Sequence, residues 1–193
     1  LTERGEAGNR PSLFTYGGTM RVKPRAKVTR KIRAVNYSGL KPHIVPEDMV
    51  VVVDTREQEP LWCPKTPKGL TIVRDTVKVG DYTIRGMENM IGIERKKVTD
   101  LLSYLTSERD RTREKLYELK KLDFRALVIE VYESELWLPK FYSNISPEVI
   151  RQSLVSFEVK FGLHVYYGTR ADLERKVLDW LIYFYNLKRS AHD

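Results

Sequence analysis

The stretch GIERKKVTD, residues 92–100, carries Glu94 and Lys96 two positions apart, directly after the apolar pair Met90 and Ile91. In a strand, side chains at i and i+2 share a face, so Gly92, Glu94 and Lys96 point one way while Ile93 and Arg95 point the other. Gly92 leaves that face open. Gly80 and Asp81 stand in a preceding turn, where glycine permits tight geometry, and Asp81 can then approach Glu94 from the neighbouring strand. Two carboxylates converging beside one ammonium repel each other until one takes a proton or a divalent cation accepts oxygen ligands from both. Magnesium or manganese held in this way polarises a phosphoryl oxygen, lowers the pKa of water and steadies a leaving oxygen. Lys96 on the same face would position or activate the attacking water. The chemistry is hydrolysis of a phosphodiester without a covalent intermediate. The spacing alone leaves a second reading open, a plain salt bridge of Lys96 with Glu94 or Asp81 at a sheet edge.

The elements that must hold these groups are legible from Met49 onward. MVVVVD, residues 49–54, is a nearly continuous β-branched run and reads as a buried strand ending at Asp54. After a proline-containing loop, residues 70–77 and 82–86 read as strands separated by KVGD, and residues 90–95 as a third, giving an antiparallel meander. The period then turns helical, with Val98, Leu101, Leu102 and Leu105 followed by Leu116, Leu119 and Leu122 in a second helix. Residues 125–132 form another buried strand. A helix opens with Ser146 as N-cap and Pro147 at its first position and stops before Gly162; the strand LHVYYG and a last helix from Arg170 follow. This order implies an α/β sandwich, a mixed sheet with helices on both faces.

VVVDTRE, VGDY and IERKKVTD, in this order and spacing, resemble the strand motif and the GD...ERKxxxD signature of the XPF-type structure-specific endonucleases. Gly80 and Asp81 match the GD, Glu94, Arg95 and Lys96 the ERK, and Asp100 the closing aspartate. Asp54, Arg56 and Glu57 match the acidic-basic element after the first strand. The similarity runs over roughly residues 49–187. It implies a restriction-endonuclease-like three-layer sandwich and metal-dependent cleavage of branched, flap or fork DNA. By position, Asp81 and Glu94 would hold magnesium or manganese with help from the Arg95 carbonyl, and Lys96 would be the catalytic lysine. Asp54 would lie at the metal edge or orient its ligands. Arg56 and Arg95 would act near the scissile phosphate or support it, and Asp100 would fix the following loop or Arg95. Members commonly carry a C-terminal tandem helix-hairpin-helix module; none follows before Asp193, so a minimal stand-alone nuclease or a fragment is expected. The family also contains pseudonucleases, which act as non-catalytic DNA-binding or scaffold subunits and usually lose these carboxylates. A less structure-selective nuclease is a further alternative.

Charge distribution supplies a second signal. The chain of 193 residues carries a net +8, and residues 1–48 hold 10 lysines and arginines against 4 acids. Arg21, Lys23, Arg25, Lys27, Arg30, Lys31, Arg33 and Lys41 occur without an intervening acid, the composition of an arm that grips a polyanion or of a solvated tail. Residues 1–19 read as a leader before Met20, and 49–193 as the nuclease domain. Arg109, Arg111 and Arg113 could bind the DNA backbone, although interleaved Glu108, Asp110 and Glu114 make a self-paired face an equal alternative. Trp180, Tyr183, Phe184 and Tyr185 exceed one amphipathic face; core packing is the first reading, contact with a second copy or a partner subunit the other. Trp62 and Trp137 suit packing before base stacking. His43, His164 and His192 are too scattered for a zinc site. Cys63 is the only cysteine, which excludes an internal disulfide and a cysteine-zinc cluster and suits an intracellular setting, cytoplasmic in a microbe or phage and nuclear in a eukaryote. No apolar run reaches the roughly 20 residues of a membrane span.

Overall fold

A computed structural model describes residues 44–137 and 145–191. The chain divides into units at residues 1–40 and 41–193, and everything described belongs to the second. The elements, in order, are β1 (Val50–Asp54), β2 (Thr71–Asp75), β3 (Tyr82–Ile84), β4 (Ile91–Lys97), α1 (Val98–Leu105), α2 (Arg109–Lys120), β5 (Phe124–Glu130), α3 (Glu133–Leu136), α4 (Pro147–Phe161), β6 (His164–Gly168) and α5 (Arg170–Arg189).

The strands form one mixed sheet in the order β2-β1-β3-β4-β5-β6. β3 pairs antiparallel with β1 and β4, whereas β1–β2, β4–β5 and β5–β6 are parallel. Alternation along the strands sends Val51, Val53, Ile91, Ile93, Ala126 and Val128 into one core, closed by Leu173, Val177, Leu181 and Phe184 of α5. Leu127 and Ile129 of β5 face the other way, into a second core with Leu101 and Tyr104 of α1, Leu116 and Leu119 of α2, and Ile150 and Leu154 of α4. The result is the expected three-layer α/β/α sandwich with helices on both faces of a mixed sheet.

The meander expected from residues 70–95 is corrected. β3 and β4 do form an antiparallel pair, but β2 never touches β3; it crosses to the far side of β1 and runs parallel to it. Burial explains the order. Val51–Asp54 is buried on both faces and suits an interior position, whereas β2 carries exposed Arg74 and Asp75, which protect an open edge.

Helix ends are set by local chemistry. Ser146 caps α4 by accepting from the Val149 N–H, Pro147 opens it, and Gly162 ends it in a left-handed conformation. Thr169 and Asp172 form a reciprocal capping box on α5, which pins the helix that closes the first core. None of the described helices is long and apolar enough to cross a membrane. Of the aromatic residues in α5, Phe184 and Tyr185 are buried, Trp180 packs half-buried against Phe124, and Tyr183 is exposed. Trp62 is buried edge-on against Tyr82, and its indole N–H donates to the Glu174 carbonyl; Trp137 packs on Tyr167. His164 stacks on Phe124, while His43 and His192 lie outside the described residues.

Candidate active site

Three strand ends are laced together where the motif residues meet. The Asp54 N–H donates to the Asp81 carbonyl at 2.9 Å, and the Asp81 N–H donates to the Ile93 carbonyl at 2.8 Å. Gly80 makes this approach feasible: its φ is +86°, and a Cβ there would stand 3.0 Å from the Ile93 nitrogen. Asp81 Oδ2 then accepts the Arg95 N–H at 2.7 Å. The turn thus sets the Asp81 carboxylate beside the strand that carries Glu94 and Lys96.

On β4 the predicted split of faces holds. Glu94 is fully buried, and Lys96 Nζ lies 2.8 Å from its Oε1. Gly92, on the same face, does not leave space open as expected. A Cβ there would meet Leu122 Cδ1 at 2.6 Å and the Val79 carbonyl at 3.0 Å, so the absent side chain seats the end of α2 against the sheet. Lys96 also lies 5.1 Å from the centroid of the Tyr104 ring, whose buried hydroxyl has no hydrogen-bond partner.

The electrostatics follow from crowding like charges in partial shelter from water. Burial, and next the charge of Glu94, push the half-buried Asp81 up to about 7, against the opposing influence of Lys115, the Arg95 N–H and Lys96. Burial works against the charge on Lys96, but Glu94, with Asp81 and Asp100 behind it, outweighs that and holds the lysine above its ordinary value. Lys96 is therefore an ammonium at neutral pH and acts as a donor and a charge.

Arg95, between Glu94 and Lys96 on β4, is held by ion pairs. Its guanidinium is buried and bonds to Glu57 at 3.3 Å and to Glu130. Its partners are these two carboxylates rather than Asp100, and Arg95 and Glu57 both line the cleft that holds Asp81 and Lys96. Asp100 sits exposed in the first turn of α1, within hydrogen-bond reach of the Thr99 hydroxyl, on the rim of the cleft. Asp54 is engaged through both carboxylate oxygens. Its Oδ1 accepts from the Arg56 N–H at 2.7 Å and from Nε at 2.9 Å, and its Oδ2 from Arg56 at 2.6 Å and the Val77 N–H at 3.2 Å. These donors, the Arg56 side chain foremost, hold Asp54 below the usual carboxylate range. Asp54 aims Arg56, whose side chain is mostly exposed at the cleft mouth.

One participant had no motif to mark it. Lys115 reaches from α2 across to Glu94, with Nζ 2.7 Å from Oε1 and 2.6 Å from Oε2. Its hydrogen bond is directed at Oε1, so Oε2 has a charge contact without a directed hydrogen bond. The signal was the helical period: Thr112, Leu116 and Leu119 mark the buried stripe of α2, and Arg111 and Lys115 flank it on one side. The same period divides the arginine cluster. Arg111 lines the cleft, whereas Arg109 and Arg113 line a separate groove between α2 and α4 with Tyr117 and Phe157. The basic residues Arg21, Lys23, Arg25, Lys27, Arg30, Lys31 and Arg33 lie outside the described residues.

The resulting cleft, about 510 Å³, is lined by Asp81, Lys96, Arg56, Arg111, Lys115 and Asp100, among others. Its donors are hard oxygens, which suit magnesium or manganese rather than a thiophilic ion. Among the described residues no group of three His, Cys, Asp or Glu side chains could hold a metal ion. A cation here would rely on the Asp81–Glu94 pair and keep much of its water, as magnesium does. The pair fits one: the charge of Glu94 weighs on Asp81, and Glu94 Oε2 lacks a directed donor.

A carboxylate pair and a lysine at the strand ends of a restriction-endonuclease-like sandwich define an XPF-type nuclease domain. Residues 53–172 match the ERCC4 domain, and the chain belongs to that family. Among solved structures, XPF from Aeropyrum pernix in complex with DNA is similar at 18% identity, with a TM-score of 0.55 over 72% of this chain and 66% of that one. XPF from Aeropyrum pernix without DNA is similar at 18% identity and a TM-score of 0.54, over 70% of this chain and 60% of that one. The likeness thus takes in less than two thirds of either of those chains. No curated protein matches the chain.

Proposed function

We propose that this chain is a divalent-metal-dependent DNA endonuclease that hydrolyses phosphodiester bonds at branched, flap or fork DNA. The observation that carries the proposal is the pairing of Asp81 with buried Glu94 beside the Lys96 ammonium, in a cleft rimmed by cations. A relative of the same fold, XPF from Aeropyrum pernix, is known in complex with DNA.

Asp81 and Glu94, with the Arg95 carbonyl, would hold magnesium or manganese, which supplies Lewis acidity toward the phosphodiester and activates water. Lys96 donates from the face it shares with Glu94, orienting the attacking water and offsetting charge that develops on the phosphoryl oxygens. Arg111, and Arg56 as aimed by Asp54, meet the DNA backbone at the cleft mouth. Arg95 acts through its amide, which orients Asp81, and through the ion pairs that lock β4. The basic segment within residues 21–41 adds sequence-independent grip. An intracellular, reducing setting suits the exposed thiol of Cys63. The scaffold alternative has less support, because Asp54, Asp81, Glu94, Lys96 and Asp100 are all present.

The test is incubation of wild type and Asp81→Asn with labelled fork, flap, duplex and single-stranded DNA, with and without magnesium or manganese. Cleavage by wild type alone, only with metal, and fastest on the branched substrates is the expected result. A folded wild type that binds DNA and cuts none of the substrates overturns the proposal in favour of the scaffold role, and equal cutting of all substrates overturns the branch preference.

A further inference from the structure

Glu94 faces more positive charge than one buried carboxylate needs. Lys96 and Lys115 both lie within 2.8 Å of it, and they arrive from different elements, β4 and α2. Lys96 belongs to the same strand, is 20% exposed and is covered by the Tyr104 ring. Lys115 comes from outside the sheet on a long flexible stem and is 35% exposed. It straddles both oxygens of Glu94, and its charge bears on Asp81 more strongly than that of Lys96 does. A single ammonium therefore already takes up both oxygens of Glu94, which a bound cation would also need.

We propose that Lys115 is a stand-in cation: it holds the Glu94 carboxylate until a divalent ion displaces its ammonium into the cleft. This rests on the metal-binding role proposed above for the two carboxylates. Without such a stand-in, the fully buried Glu94 would have Lys96 as its one close counter-charge, with half-buried Asp81 nearby, a costly arrangement. With a divalent ion bound, the lysine becomes surplus positive charge beside that ion, and its long, partly exposed side chain lets it swing into the cleft toward Arg111 and the incoming phosphate. Lys115 is a positioning residue on this account. It preserves the empty site and tunes metal affinity, and it is not needed to hold the ion.

The experiment is calorimetric titration with Mn²⁺ of wild type, Lys115→Met, Arg111→Met and Asp81→Asn, each checked for folding by circular dichroism. Lys115→Met is expected to bind Mn²⁺ about fivefold to tenfold more tightly than wild type, since the ion no longer has to break a sheltered ion pair. Arg111→Met removes the same charge from the same cleft without touching Glu94, and should change affinity less than about twofold. In parallel, the side-chain ammonium signal of Lys115, followed by NMR, should move to the position of a solvated lysine on adding Mg²⁺ while that of Lys96 stays. Weaker or unchanged Mn²⁺ binding in Lys115→Met, or an equal gain in Arg111→Met, overturns the inference. If Lys115→Met fails to fold, the NMR titration of wild type decides, and an unmoved Lys115 signal on saturation sinks the idea. Wild type and Asp81→Asn binding Mn²⁺ equally would instead overturn the metal-binding reading itself.

Discussion

The amide of Arg95 donates to Asp81 Oδ2 at 2.7 Å, while the guanidinium of the same residue pairs with Glu57 and Glu130. One residue thus orients a carboxylate with its backbone and fastens the strand with its side chain. This accounts for the order Glu-Arg-Lys: Glu94 and Lys96 need the site face, and the residue between them is left to anchor the strand.

The amide from Arg95 does not remove the cost of the crowded pair, and that cost has a pH signature. Asp81 is raised to about 7 in the folded protein, against an ordinary 3.8, so between those values the folded state binds the proton that the unfolded state has lost. Its contribution to stability therefore falls as pH rises from about 4 to about 7 and stays unfavourable above. Metal-free wild type should show a melting temperature that declines across this window relative to Asp81→Asn, which cannot ionise there. Thermal denaturation in chelator at pH 5 and pH 8 checks this, and parallel profiles for the two proteins would remove the buried-pair argument. Added Mg²⁺ should raise the melting temperature of wild type most at the alkaline end.

Packing around the site makes a sharper prediction at Gly92. The missing side chain admits Leu122 and lets α2 sit close enough for Lys115 to reach Glu94. Gly92→Ala should cost about 1–3 kcal/mol through overpacking. Chemical denaturation measures it, and a neutral result would mean that α2 yields easily, leaving the Lys115 contact without a fixed seat.

The motif lysine and glutamate could be placed from strand alternation, because period-2 geometry depends only on neighbours in the chain. Other relationships depended on elements far apart in sequence. The position of β2 beyond β1, the filling of the space over Gly92 by Leu122, and the reach of Lys115 to Glu94 all arise from how α2 and the strands pack. No local pattern encodes those distances, and Arg109, Arg111 and Arg113, read as one cluster from the sequence, separate only once the buried stripe Thr112–Leu116–Leu119 is known. Asp54 was legible as a motif residue, but its use was not: its partner Arg56 lies two positions away, and only the turn between them brings the guanidinium back onto the carboxylate.

That turn predicts a structural role for Asp54. Asp54→Ala would strand the buried Val77 N–H and release Arg56, at a cost of about 1–3 kcal/mol. Because Asp54 is held below its ordinary value, its contribution is present above about pH 4 and is lost as pH falls through the folded value. Denaturation at pH 7 should therefore separate the variant from wild type, with the gap narrowing at lower pH. If Asp54 were instead a dispensable rim carboxylate, Asp54→Ala would unfold with wild type at neutral pH.

The divided arginine cluster gives a test of where DNA runs. Arg111 shares the cleft with Asp81 and Lys96, while Arg109 and Arg113 share the groove toward α4. Removing one cation that neutralises a phosphate lowers the slope of log affinity against log salt by nearly one unit for duplex DNA. If DNA enters over the cleft, Arg111→Ala should flatten the slope by about that much and slow cleavage, whereas Arg113→Ala should leave both close to wild type. Deleting residues 21–41 should flatten the slope by several such units if that segment grips phosphates. Binding isotherms from low to moderate salt measure all three. A larger effect from Arg113→Ala than from Arg111→Ala would place the duplex across α2 and α4, and would require the strand being cut to bend over Tyr104 to reach Glu94.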